Sequence, residues 1–139
     1  MTTFIFQSVQ ERYDLRVELK AGKRVTWYAT RYRNQMNVGD IAYFWMGGPA
    51  ALRGLYGWGE LTSRPYLRPE WESHGVDVLF KVRFSNFISY THFLSDNILS
   101  KILILRAPSA SNFILSEQET LELSRLVTRH DEQSPMDTA

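Results

Sequence analysis

The three histidines, His74, His92 and His130, have no metal-ligand spacing. With no cysteine in the chain, a thiolate metal site, a disulfide and a cysteine nucleophile are all excluded. Zinc chemistry would therefore need an unannounced convergence in space. Gly54-x-x-Gly57-x-Gly59 falls within a hairpin pattern, lacks the dinucleotide-fingerprint order and a following helix, and has no Lys-Ser/Thr after it, so it is not a phosphate-cradling loop. Glu70, Glu72 and Asp77 flank a polar loop, where carboxylates are ordinarily solvated and not paired for acid–base work. There is no Gly-x-Ser-x-Gly elbow. No catalytic constellation emerges, so the expectation is a protein that is not an enzyme and needs neither metal nor cofactor.

Flat surfaces are what the sequence has in excess. Trp27, Trp45, Trp58 and Trp71, with seven Tyr and eight Phe, make up 14% of the chain. Such residues fill cores, and they also build pockets that stack on a planar ligand while offering a hydrogen-bonding edge. Lys23, Arg24, Arg31 and Arg33 follow one another with no intervening carboxylate and are interleaved with Trp27, Tyr28 and Tyr32. Phosphates attract cations and bases stack on rings, so this mixture suits nucleic acid, although a solvated charged face would look the same. The near-neutral total of +1 hides an asymmetry: residues 12–106 carry 14 Lys/Arg against 8 Asp/Glu, while residues 107–139 carry 2 against 6.

The elements that must position these residues fit one domain, expected over residues 1–130 and followed by a flexible acidic tail at 131–139; 139 residues can bury a core without covalent staples. Residues 3–8 read as a strand that places Gln7 and Ser8 at its rim, and 24–28 as another. The stretch 13–20 fits either a helical turn or an irregular crossing. Thr30 is placed to cap a short helix over 31–36, and Asn37-Val38-Gly39-Asp40 to turn into the clearest buried strand, 40–46. Gly47-Gly48-Pro49 ends that strand, and its hairpin partner follows over 52–62, where Gly54, Gly57 and Gly59 mark bulges or close approach in a strongly coiled strand. A polar loop at 63–75 carries Trp71 and His74 before a long strand over 76–88. Ser95 or Asp96 opens a short helix leading to residues 102–105, which read as its last turn or as a strand. A loop at 108–112 then precedes Ser116-Glu117-Gln118-Glu119, a capping box for a helix over 117–129 with Leu123, Leu126 and Val127 facing inward. No apolar run approaches the ~20 residues that span a bilayer, no signal peptide is evident, and a cysteine-free chain fits a cytoplasmic setting.

Val25-Thr26-Trp27-Tyr28, Arg31-Tyr32-Arg33, Val38-Gly39-Asp40 and Ile41 to Gly48, followed by the Gly-rich run from Gly54 to Tyr66, together resemble an EVE domain, a PUA-like fold related to YTH domains. The resemblance runs from about Phe4 to Val127. It implies an α+β fold, a PUA-like pseudo-barrel made of a small, strongly curved mixed sheet with short helices packed around it. It also implies a non-catalytic module that holds a modified base, methylated or hydroxymethylated, flipped from DNA or RNA into an aromatic pocket, in settings where a nuclease or ATPase is a candidate partner. On this resemblance Trp27 and Tyr28 are the leading pocket residues, Trp45 a second wall, Gln7 and Ser8 polar contacts, and Trp71 a looser match from its loop. Arg31, Arg33, Arg53 and Arg64 are phosphate candidates by charge and placement. Phe4 stands where many relatives carry Trp or Tyr, and residues 49–53 lengthen the hairpin connection. Trp45 and Trp58 also fit a core. The rival expectation is a PUA-like protein that binds or acts on a small nucleotide-like molecule, and a third is a protein-interaction adaptor.

Overall fold

The structure is a computed structural model that describes residues 1–107 and 109–138; Pro108 and Ala139, placed by the sequence in a loop and in the tail, lie outside them. Seven strands form one mixed sheet: β1 (Thr3–Val9), β2 (Arg24–Tyr28), β3 (Ile41–Gly47), β4 (Gly54–Leu61), β5 (Tyr66–Arg68), β6 (Ser73–Ser89) and β7 (Asn112–Leu115). Their order is β2-β6-β4-β3-β1-β7, with β5 pairing on β6. β1 and β3 run parallel with Phe6 opposite Phe44 and Gln7 opposite Trp45, and every other pairing is antiparallel. Phe4, Ile5 and Phe6 are fully buried in succession because β1 is covered on both faces.

The sheet is a strongly curved half-barrel, and its glycines show why it bends. A Cβ on Gly57 would lie 2.2 Å from the Val82 carbonyl oxygen, and one on Gly59 2.4 Å from that of Leu79. Only bare backbone lets β6 press this closely on β4, and the pairing register shifts at these points. Asp40, at the end of the Gly39 turn, accepts the Thr2 amide at 3.0 Å on one carboxylate oxygen and the Asn37 amide at 2.9 Å on the other, tying the start of β1 to the entry of β3.

Short helices decorate the sheet. α1 (Leu15–Glu18) occupies the stretch left open by the sequence and is capped by Asp14, α2 (Thr91–Leu94) follows β6, and α3 (Glu117–Arg129) carries both reciprocal bonds of its Ser116/Glu119 capping box. Asp96 accepts the amides of Ile98 and Leu99 ahead of a turn of 3-10 helix at Leu99–Lys101, and of the two readings open for 102–105 the structure has a helical turn, 3-10 over Leu103–Leu105, and not a strand. The expected helix at 31–36 shrinks to one 3-10 turn, Arg33–Gln35, entered through Tyr32 at φ 61° and not through a Thr30 cap. The polar loop at 63–75 contains β5 and a 3-10 turn, Pro69–Trp71, and the loop at 108–112 gives way to β7.

Alternation divides the apolar residues between two cores. Ile41, Tyr43 and Trp45 face a cluster closed by Leu123, Leu126 and Val127 of α3, while Ala42, Phe44 and Met46 face a second cluster with Phe4, Phe6, Trp27 and Phe80. Both Trp45 and Trp58 are 1% exposed in the first. The segment expected as a free tail begins with anchored residues. Glu132 accepts the Ser85 and Asn86 amides at 3.0 Å each, the Trp58 indole donates to the Gln133 carbonyl at 2.9 Å, and Ser134 is fully buried against Ser124.

Candidate nucleic-acid interface

The second core does not close at every end. Where β1 runs out, its last residues, the turn that follows, β2, Trp71 and the 109–111 segment surround a cavity of about 800 Å³. That volume lies in the range of small-ligand sites. Gln7, Ser8, Trp27, Tyr28 and Trp71 all line it, so five of the residues expected from the sequence meet in one place.

Their chemistry differs from residue to residue. Trp27 is 7% exposed and packs 6.2 Å from Phe6, 5.0 Å from Phe44 and edge-on to Tyr13 at 5.4 Å. It is thus both core and cavity wall, held rigidly by three neighbours. Tyr28, 44% exposed, packs on Trp71 with ring centroids 4.5 Å apart, and the Arg68 guanidinium lies over the Trp71 ring at 4.2 Å. This stack rests on Gly75, where a Cβ would stand 3.0 Å from the Trp71 ring and 2.8 Å from the Thr26 methyl. Gly75 lets the indole lie down on backbone beside the cavity.

Gln7 braces the wall. Its side-chain amide donates to the Ala110 carbonyl at 2.6 Å and its backbone amide to the Ser111 carbonyl at 2.9 Å, which pins the 109–111 segment. The Ser8 hydroxyl is buried without a hydrogen-bond partner among the described residues. Tyr13 has its phenol pushed above the ordinary range by burial, an effect the Lys23 ammonium partly offsets. It therefore stays neutral at physiological pH.

Asn112 sets the width of this end. It is fully buried next to the Ser111 wall; its side-chain oxygen accepts the Thr30 amide at 3.0 Å, and its side-chain nitrogen donates to the Tyr28 carbonyl at 2.8 Å. Because Asn112 lies in β7 and Tyr28 ends β2, this one amide stitches together the two outer strands of the sheet. Nothing in the sequence marks it beyond an Asn at the end of a loop and just ahead of an apolar run, and of the two further lining residues Tyr13 opens the stretch with no assigned element while Arg12 lies just before it.

Trp45 is a correction. Parity along β3 turns it to the opposite face, where it meets Phe93 edge-on at 5.0 Å, away from the cavity wall. The phosphate candidates are not gathered at the cavity either. Arg53 donates twice to the Gly48 carbonyl and covers the Tyr90 ring at 4.9 Å, Arg33 donates to the Thr30 carbonyl, and Arg31 and Arg64 are exposed outside the lining. His74 lies in β6 and not in a loop, while His92 and His130 meet ring to ring at 4.3 Å. Among the described residues no group of three or more His, Cys, Asp or Glu could hold a metal ion, and no helix is long and apolar enough to cross a membrane.

The fold has solved counterparts. Human THYN1, solved in complex with 5-methylcytosine-containing DNA, superposes with a TM-score of 0.70 at 17% identity over 97% of this chain and 100% of that one. The chain has the THYN1 DUF55 fold, a strongly curved mixed half-barrel sheet with a few short helices. The DUF55 domain of human thymocyte nuclear protein 1 gives a TM-score of 0.68 at 16% identity over 94% and 99% of the two chains. A hypothetical protein from Leishmania major gives 0.74 at 18% identity over 95% and 98%. No family model and no curated protein matches the chain. The α+β curved-sheet architecture expected from the resemblance is therefore the observed one.

Proposed function

We propose that this chain is a non-catalytic reader of nucleic acid that takes a modified base, methylated or hydroxymethylated, out of the helix and into the cavity beside Trp27, Tyr28 and Trp71. The observation that carries the reading is the cavity itself: about 800 Å³, walled by aromatic rings at the open end of the second core. Its likeness in fold to a protein solved with 5-methylcytosine-containing DNA favours a methylated cytosine in DNA as the first ligand to try.

The energetics are consistent. Extruding a base costs a few kcal/mol, and aromatic stacking returns roughly 1–3 kcal/mol per base. A methyl group adds only about 0.8 kcal/mol of burial, so discrimination depends on walls that do not yield. Trp27, fixed by three rings, and the 109–111 wall, pinned by Gln7, are such walls. A module of this kind marks a site for another activity, and a nuclease or ATPase is the class of partner that would use the mark.

Intrinsic Trp fluorescence tests the reading. Short single- and double-stranded oligonucleotides carrying 5-methylcytosine, 5-hydroxymethylcytosine, N6-methyladenine or no modification are titrated at two salt concentrations. Preference for one modified base, lost in Trp71→Ala, supports the reader. Absence of binding to every oligonucleotide at low salt contradicts it and turns attention to small nucleotide-like molecules, whose binding salt would barely affect.

A further inference from the structure

The four arginines expected to meet phosphate are not at the cavity, yet the cavity has cations of its own. Arg12, in the turn after β1, lines it, and its guanidinium makes no hydrogen bond or ion pair among the described residues. Arg68, on β5, lies over the Trp71 ring at 4.2 Å, with Trp71 a lining residue. Both belong to elements that form the rim, the turn at 9–13 on one part and the β5–β6 hairpin on another.

We infer that Arg12 and Arg68 are the phosphate clamps of this site, holding the phosphodiester groups on the two sides of the inserted nucleotide, so that the ligand is a nucleotide within a strand and not a free base. The inference rests on the base-reading proposal above. A base drawn into a cavity keeps its two phosphates at the mouth, and guanidinium groups suit them through paired N–H donors. Arg12 is available without giving up any partner. Arg68 is paired with Glu70 in a bridge whose carboxylate is 54% exposed, an arrangement that contributes little and is readily exchanged for a phosphate. Stacking on Trp71 fixes the plane of the guanidinium, which lowers the entropy lost when phosphate docks. Glu11, which also lines the cavity, opposes the clamp. The site thus carries a built-in penalty for phosphate that Arg12 must outweigh.

The test compares the modified oligonucleotide with the corresponding modified nucleoside, across a salt series, for the wild type, Arg12→Gln, Arg68→Gln, Arg68→Lys, Glu11→Gln and Arg53→Gln. Arg12→Gln and Arg68→Gln are each expected to weaken oligonucleotide binding several-fold and to lower the slope of log K against log salt by about 0.7–0.9, the share of one phosphate. The preference for modified over unmodified strand and the binding of the nucleoside should not change. Arg68→Lys keeps the charge without the stacking plane and should restore the slope, separating charge from packing. Glu11→Gln should strengthen binding, and Arg53→Gln should leave it as it was. Unchanged slopes in both Arg→Gln variants while the wild type still prefers the modified strand would overturn the clamp and leave the base-reading proposal standing. Failure of the wild type to bind either ligand would overturn both.

Discussion

The two faces of the sheet are built from the same kinds of residue and end differently. On one face Trp45 and Trp58 are sealed beneath α3 and α2, each 1% exposed. On the other, Trp27 packs among Phe6, Phe44 and Tyr13 but borders an open cavity, because among the described residues no α-helix contributes to the end where β1, β2 and the 109–111 segment meet. Aromatic content alone does not separate structure from site; what separates them is whether an element covers that part of the sheet.

Substitutions can break this contrast. The largest effect is expected at Trp45→Ala, which removes a buried indole and its contact with Phe93 and should cost about 3–5 kcal/mol in chemical denaturation. Trp71→Ala should stay within about 1 kcal/mol of the wild type while abolishing oligonucleotide binding. Equal destabilisation of the two variants would erase the distinction between the faces.

Asn112→Ala comes next. It leaves the partly buried Thr30 amide and Tyr28 carbonyl without their partner, and a loss of about 2 kcal/mol is expected from such groups. Hydrogen exchange at the Thr30 amide should accelerate, reporting that the two outer strands part. Gly75→Ala is smaller, about 1–2 kcal/mol, since its Cβ would stand 3.0 Å from the Trp71 ring and force it to move. Its effect on ligand binding should exceed its effect on stability, measured by titration and denaturation side by side.

The smallest prediction concerns the covered face. His130 has its pKa lowered, first by burial and then by the neighbouring His92. A base with a depressed folded pKa binds fewer protons folded than unfolded, so stability is full above the ordinary histidine range and falls as pH drops through it. His130→Gln should flatten the dependence of Tm on pH between about 5 and 7. Binding at the cavity should not follow that titration.

Much of this was legible in the chain. The strand at 24–28, the capping box at Ser116 and Glu119, and the glycine-marked coiling of β4 are local signals, and local chemistry decided them. Trp45 was not legible, because a strand buried on both faces has no polar side to reveal which way each residue turns. β5 is a three-residue strand of a local hairpin on β6 within a segment whose polar composition reads as loop, while β7 and the docking of Glu132 rest on pairings between residues distant in sequence, with no local mark. Arg12 entered the site for the same reason: a turn placed it there, and no pattern in its own stretch announced it.

The four indole N–H signals give the sharpest test of the two-face division, since Trp27, Trp45, Trp58 and Trp71 report from known places. A 15N–1H spectrum followed during addition of the modified oligonucleotide should show the Trp27 and Trp71 signals moving, while Trp45 and Trp58, the latter bonded to the Gln133 carbonyl, hold still. Movement confined to Trp45 or Trp58 would contradict a reading site at the cavity and place ligand contact on the face closed by α3.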